Sequence, residues 1–407
     1  MRTQVIEKLK KYNQEHLLQF EDELSDEEKN SLYQQILDTD FSYLSKMNEK
    51  VIKEDIAIDP IPSLKYTEIS DYMADLEQVG IKAIQNNEVA VLLLAGGMGT
   101  RLGSDNPKGM YNIGKTKDVY IFQCLFENLQ SVVNQAGTPI PFFIMTSEKN
   151  HEATTTFLKE HNYFGYDKNY IRFFIQDMAP CVDGDGKILL EEKSRLATSP
   201  NGNGGWFNSL LKNNDAREML EKFDTKWINV VGVDNVLQKI ADPVFIGAVI
   251  SGNYNTGSKV IRKVNPTEKV GLMCNKNGIT SVIEYTDMPE DKQSLRNENG
   301  ELAFGLGIVL NYLFNVNQLH KIKDTALPVH VVYKKVNYID KEGSHQTPSE
   351  PNAYKFEYLC VDMIELCGRC LPYEVLRNRE FAPIKNKEGV DSVATAQALL
   401  EESGYSL

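Results

Sequence analysis

The run Val89-Ala90-Val91-Leu92-Leu93-Leu94 passes without a break into Ala95-Gly96-Gly97-Met98-Gly99-Thr100-Arg101-Leu102-Gly103, and no other stretch of the 407 residues restricts the fold as tightly. Six consecutive apolar residues suit a parallel strand buried on both faces, which needs helices on each side of its sheet. The glycines that follow permit positive φ and close backbone approach, so successive N–H groups can turn toward one anion. Arg101 adds a permanently charged planar fork, and Lys108, directly after Pro107, adds a movable ammonium. A flexible turn would account for the glycines but not for the Thr-Arg-Leu and Pro-Lys pieces. The spacing has no Gly-Lys-Ser/Thr of a P-loop and lacks the third glycine of a dinucleotide fingerprint, so residues 92–108 form a phosphate loop of another kind.

Similar apolar runs at 142–146, 171–175 and 228–233 alternate with helix-like segments at 120–134 and 208–223. This is the rhythm of a doubly wound α/β fold on a mixed, mostly parallel sheet, with its ligand at the strand C-terminal ends. Strand-like pieces at 270–274, 281–285 and 329–339 predict an added sheet. Near the start, Leu9, Tyr12, Leu17, Phe20 and Leu24 recur at helical spacing, and Ser25-Asp26-Glu27-Glu28 is a capping box that opens a second amphipathic helix. Ile58-Asp59-Pro60-Ile61-Pro62-Ser63 cannot continue a helix, because each proline lacks a donor and restricts its predecessor.

With 42% hydrophobic and 25% charged residues the chain has an ordinary globular balance and should fold throughout. No apolar run reaches the roughly 18 residues of a membrane span, and the six cysteines show no disulfide framework, so the expected location is the cytosol. A net charge of −13 argues against nucleic acid as a partner, yet it allows a small anion held by a few local cations. Cys367-Gly368-Arg369-Cys370 has no second Cys or His pair beside it and is assigned as structural.

Leu94 to Gly103 together with Pro107-Lys108-Gly109-Met110-Tyr111 resembles the signature of the UDP-N-acetylglucosamine pyrophosphorylases, within the eukaryotic UDP-sugar pyrophosphorylase family. The likeness continues through Phe173-Phe174-Ile175-Gln176-Asp177-Met178, Ile188-Leu189-Leu190-Glu191-Glu192-Lys193, Pro200-Asn201-Gly202-Asn203-Gly204-Gly205, Val233-Asp234-Asn235 and Asn265-Pro266-Thr267-Glu268. Val282-Ile283-Glu284-Tyr285, Tyr373-Glu374-Val375-Leu376-Arg377 and Phe381-Ala382-Pro383-Ile384-Lys385-Asn386 complete it, so residues 60 to 400 are covered. The resemblance implies a Rossmann-like nucleotidyltransferase core over 61–385, an N-terminal helical region over 1–60 and a short C-terminal helical stub over 386–407 in place of a further domain. The missing contacts of that domain favour a monomer.

The implied reaction is attack of a sugar 1-phosphate on the α-phosphorus of UTP, giving a UDP-sugar and pyrophosphate. A phosphate monoester with second pKa of about 6 is already largely a dianion near neutrality, so alignment and charge management carry the catalysis. The six histidines offer no nucleophile–base arrangement that would suggest otherwise. By resemblance Leu94, Ala95, Gly96, Gly97, Gly99 and Thr100 hold UTP, with Arg101 and Lys108 as the catalytic cations. Gln176 and Gly202 select uracil, and Lys355 contacts phosphate. Asp234 ligates Mg2+, for which an oxygen ligand at a strand end is well suited; the competing reading is a helix N-cap. Asn203, Gly271, Glu284, Tyr285 and Lys385 are carried over to the sugar phosphate.

One segment departs from the family. After Phe304 the family has Asn-Ala-Gly-Asn-Ile, whereas this chain has Gly305-Leu306-Gly307-Ile308-Val309. Ile308 cannot offer the hydrogen bond of the second asparagine, which leaves glucose or galactose 1-phosphate, or several sugars, as alternative substrates. A non-catalytic UDP-sugar sensor is a further alternative, and it would not need Arg101, Lys108 and Asp234 together.

Overall fold

The computed structural model describes residues 1–47, 57–325 and 327–407; part of the expected N-terminal helical region, residues 48–56, lies outside them. The chain packs as two compact units. One comprises Met1–Glu54, Gln176–Trp206 and Leu327–Cys360, the other Asp55–Ile175, Phe207–Ala326 and Val361–Leu407.

The larger unit is built on one twisted sheet, in the order Leu64–Lys65, Cys370–Glu374, Thr256–Arg262, Leu306–Asn315, Trp227–Gly232, Val89–Leu94, Phe142–Thr146 and Ile171–Ile175. All neighbours run parallel except Leu306–Asn315, which is antiparallel to both of its neighbours, so the sheet is mixed and mostly parallel as the apolar runs predict. Every residue of Val89–Leu94 is buried. The hairpin Leu272–Lys276 with Ile279–Ile283 joins this sheet through Leu272 opposite Gly307. Helices Met73–Gln85 and Pro243–Ser251 touch at glycines: a Cβ on Gly80 would lie 2.0 Å from the Pro243 carbonyl, and one on Gly247 1.8 Å from that of Leu76. Neither position admits a side chain without separating the helices.

The helix-like stretch 208–223 is two helices, Trp206–Lys212 and Asn214–Lys222. Asn213 ends the first and caps the second, its side chain accepting from the Ala216 N–H at 3.0 Å. The final helix, Val393–Glu402, buries Ala396 and Leu400 in the same core that Leu407 enters.

In the smaller unit the expected N-terminal helices are Arg2–Tyr12 and Asp26–Asp38, the second opened by the full Ser25–Glu28 capping box. Leu17 and Phe20, read at helical spacing, fall instead in and beside the 3-10 turns Glu15–Leu18 and Glu21–Glu23. Gln14 explains this change of path. Its amide donates to the Gly186 carbonyl at 2.8 Å and accepts from the Ile188 N–H at 2.8 Å, tying the chain down just past the first helix. The buried faces of both helices, through Val5, Leu9, Leu32 and Ile36, are completed by Ala179, Val182, Leu196 and Phe356 from short hairpins. Among the described residues no helix is long and apolar enough to cross a membrane.

Candidate active site

In the larger unit the glycine loop leaves the sheet at the C-terminal end of Val89–Leu94, beside the end of Trp227–Gly232, where the Val233 N–H donates to the Leu94 carbonyl. The loop folds back on itself: the Gly99 N–H bonds the Asn106 carbonyl at 2.8 Å, and the Lys108 N–H bonds that of Gly97 at 3.1 Å. Gly97, Thr100 and Arg101 are exposed. Among the described residues, no protein acceptor meets the N–H groups of Gly97, Met98, Thr100 or Arg101. A Cβ on Gly97 would meet nothing within 4 Å, so open space faces this backbone. Gly103, at φ +75°, closes the short turn Thr100–Leu102.

Asn150 was not legible as a site residue, yet it fixes this loop. Fully buried, it donates to the Ala95 carbonyl at 2.9 Å and accepts from the Ser147 N–H at 2.8 Å. The available signal was only a polar residue closing the turn after a buried strand.

Lys108 is half-buried, and its neighbours assemble the rest of the site. Burial lowers its pKa; the nearby Asp234 carboxylate opposes that shift, and the Arg101 and Lys385 cations add to it. Four residues spread over nearly 300 positions thus share one electrostatic environment. Asp234 follows the strand Trp227–Gly232, and its carbonyl accepts from the Ile384 N–H at 2.8 Å. Asn235 donates to the Glu380 carbonyl at 2.8 Å and accepts from the Ala382 N–H at 2.9 Å. This pairing brings Lys385 alongside; its ammonium bonds Asp391 at 3.1 Å and lies over the Phe381 ring.

Gly271, Glu284 and Ile308 stand side by side. Leu272 pairs with both Ile283 and Gly307, which puts the three at the next register position, and the Ile308 N–H donates to the Gly271 carbonyl at 2.9 Å. A Cβ on Gly271 would lie 3.0 Å from Ile308 Cδ1. Two residues along the same strand, Leu310 approaches Gly232, whose Cβ position is 2.9 Å from Asp234 Oδ1. Asp234 and Leu310 thus meet at Gly232, and Ile308 meets Gly271. Tyr285 is exposed just beyond Glu284.

Gln176, Gly202, Asn203 and Lys355 belong to the smaller unit. Gln176 is buried, and the Asn203 side-chain oxygen accepts from the Cys360 N–H at 2.9 Å. Lys355 lies on the strand Ala353–Glu357, between core-facing Tyr354 and Phe356, and so on the opposite face. Gly202 has φ +87°, and a Cβ there would sit 2.3 Å from the Tyr358 carbonyl, a packing need that holds with or without a bound base. Gly202→Ala is expected to destabilise the protein by about 1–3 kcal/mol, read as a lower thermal midpoint. An unchanged midpoint would mean that this close approach is relieved at no cost.

Cys367 and Cys370 are both buried, and burial pushes each thiol up to about 12, so both stay protonated and inert.

The family model described as UTP–glucose-1-phosphate uridylyltransferase matches residues 39–403. The chain belongs to that family. Among other uridylyltransferase-family relatives, it is 35% identical to "UDP-N-acetylhexosamine pyrophosphorylase-like protein 1" of Xenopus tropicalis, over 93% of this chain and 78% of that protein. It is 37% identical to the UDP-N-acetylglucosamine pyrophosphorylase of Saccharomyces cerevisiae, over 82% of this chain and 72% of that one. The crystal structure of the uridine diphosphate N-acetylglucosamine pyrophosphorylase of Trypanosoma brucei, in complex with an inhibitor, superposes with a TM-score of 0.84 at 26% identity, covering 98% of this chain and 84% of that one. The mixed sheet is therefore the sheet of the uridylyltransferase family.

Proposed function

We propose that this chain transfers the uridylyl group of UTP to N-acetylglucosamine 1-phosphate. A phosphate oxygen of the sugar attacks the α-phosphorus, the bond to the β-phosphate oxygen breaks, and pyrophosphate leaves with that electron pair. Supporting this reading, beyond family membership, is the gathering of Arg101, Asp234 and Lys385 around Lys108, with the glycine loop and Asp234 following adjacent parallel strands. The exposed loop N–H groups and Arg101 take the leaving phosphates, and Lys108 neutralises charge at the α-phosphoryl group. Lys385 exchanges its half-exposed partner Asp391 for the sugar phosphate, at small cost because such ion pairs are worth only about 0–1 kcal/mol.

The family generally uses a divalent metal, and the donor set here suits Mg2+. Among the described residues no cluster of three His, Cys, Asp or Glu side chains could enclose an ion, and Asp234 is a partly exposed carboxylate at a strand end. Mg2+ is commonly held by one or two carboxylates together with substrate phosphates and water, so Asp234 would hold it with the triphosphate. Bound there, it would screen the charge that builds up during transfer. Recognition of uracil by Gln176 and Gly202, and of the sugar phosphate by Asn203, Glu284 and Lys355, rests on the family resemblance.

A second reading, with glucose or galactose 1-phosphate as acceptor, is favoured by Ile308, which lies beside Gly271 and offers no hydrogen bond to a sugar hydroxyl. Pyrophosphate release from UTP and Mg2+ with a panel of sugar 1-phosphates separates the two, and release with none of them would sink both. Ile308→Asn is expected to change the ratio of kcat/KM between N-acetylglucosamine and glucose 1-phosphates by about 3–10-fold, the worth of one hydrogen bond. An unchanged ratio would remove Ile308 from sugar selection.

A further inference from the structure

Behind the Asp234 turn lies a buried ion cluster that takes no part in the chemistry above. Lys259, on the strand Thr256–Arg262, is 1% exposed; its Nζ donates to Asp242 at 2.7 Å, to Glu380 at 2.5 Å and to the Lys239 carbonyl at 3.4 Å. Burial works against its charge, but Asp242 and Glu380 outweigh burial and keep the ammonium protonated. Asp242, also disfavoured as a carboxylate by burial, is held ionised by Lys259. The Lys239 ammonium stands 3.9 Å from the other Glu380 oxygen, so two cations face two anions.

Each end of the cluster continues to a site residue. The Glu380 carbonyl receives the Asn235 amide, Ala382 bonds Asn235 and Val236, and the Ile384 N–H bonds the Asp234 carbonyl. One short bridge thus carries both Asp234 and Lys385, and its near end is held through Glu380 by Lys259. On the other side, Asp242 caps the helix Pro243–Ser251 and ends the loop that begins at Asp234. A buried ion cluster commonly adds little stability over well-packed apolar side chains. What this one supplies is direction, since three oxygen acceptors around one ammonium fix the spacing between the 234–242 loop and the 380–385 segment.

We propose that Lys259, with Asp242 and Glu380, is a positioning residue for uridylyl transfer, setting Asp234 against Lys385 and Lys108 without touching substrate. The proposal rests on the uridylyltransferase reading of Asp234. Its test uses the full chain, Glu380→Gln, and a variant charge-free in the buried part of the cluster, combining Lys259→Met, Asp242→Asn and Glu380→Gln and keeping the exposed Lys239. Three quantities are measured: Mn2+ affinity in the presence of UTP by electron paramagnetic resonance, the Mg2+ dependence of pyrophosphate release, and the thermal midpoint.

Glu380→Gln is expected to weaken Mn2+ binding, or to lower kcat, by about 10–100-fold with KM for UTP within about threefold. The charge-free variant is expected to regain the wild-type midpoint but not the rate. If Glu380→Gln does not fold, the charge-free variant decides alone. Wild-type metal affinity and kcat in either folded variant would overturn the proposal, because a merely structural cluster would move only the midpoint. A wild-type chain that neither binds Mn2+ with UTP nor releases pyrophosphate would instead overturn the uridylyltransferase reading, and the proposal with it.

Discussion

Lys108→Ala is expected to slow pyrophosphate release by ~100-fold or more, the usual consequence of removing a donor aimed at charge that develops in a transition state. The half-buried setting is the reason for so large an effect. Burial, Arg101 and Lys385 all work against the ammonium in the free protein, and among the described residues only Asp234 supports it. Incoming phosphate groups supply the anions that this cation lacks, so its interaction energy is realised as substrate charge accumulates. A loss of less than about tenfold would exclude this role.

The same setting fixes two pH effects. Because the folded pKa of Lys108 is lowered, the charged form is lost at a lower pH than for an ordinary lysine, and the alkaline limb of the rate profile should fall there. Between the lowered folded pKa and the unfolded value the unfolded chain binds more protons, so this group makes stability rise with pH across that window. Below it, the cost of burying the charge is fully present. Lys108→Met should therefore stabilise the free protein, by about 0.5–2 kcal/mol, while abolishing most of the activity. A lower thermal midpoint for Lys108→Met would show that the ammonium is not under strain.

How much of this was legible from sequence varied with the range of the interactions involved. Val89–Leu94 is buried on both faces, so hydrophobicity alone located it, and the loop followed from its glycines. The segment 208–223 kept its amphipathic character through a one-residue break, and only the Asn213 cap reveals that the backbone turns there. Leu17 and Phe20 had helical spacing, but Gln14 reaches across more than 170 positions to redirect the chain, which no local pattern encodes. Asn150 and Lys259 were hidden for the same reason. One reads as an ordinary turn residue and the other as a polar break in a strand, until the sheet order places their partners. Arg101 and Lys108 stood out in the loop itself and Asp234 at a strand end, Lys385 came from family likeness alone, and their shared environment came only with the fold.

Asp234→Asn is expected to lower kcat/KM by about 10²–10³-fold, the several kcal/mol that a metal-held phosphate contributes to such a transfer. Asparagine keeps the shape of the side chain, and the backbone carbonyl that accepts from Ile384 is untouched, so the fold should survive. The charge alone is removed, and two consequences separate its roles. As a metal ligand, its loss should move the Mg2+ dependence to higher concentration. Because its carboxylate supports the Lys108 ammonium, its loss should lower the Lys108 pKa further and carry the alkaline limb to still lower pH. A wild-type Mg2+ response would exclude the ligand role, and an alkaline limb shifted to higher pH would exclude the electrostatic coupling. If both shifts appear together, Asp234 acts on the phosphates through the ion and through Lys108 at once, and restoring Mg2+ to saturation should recover only part of the lost rate.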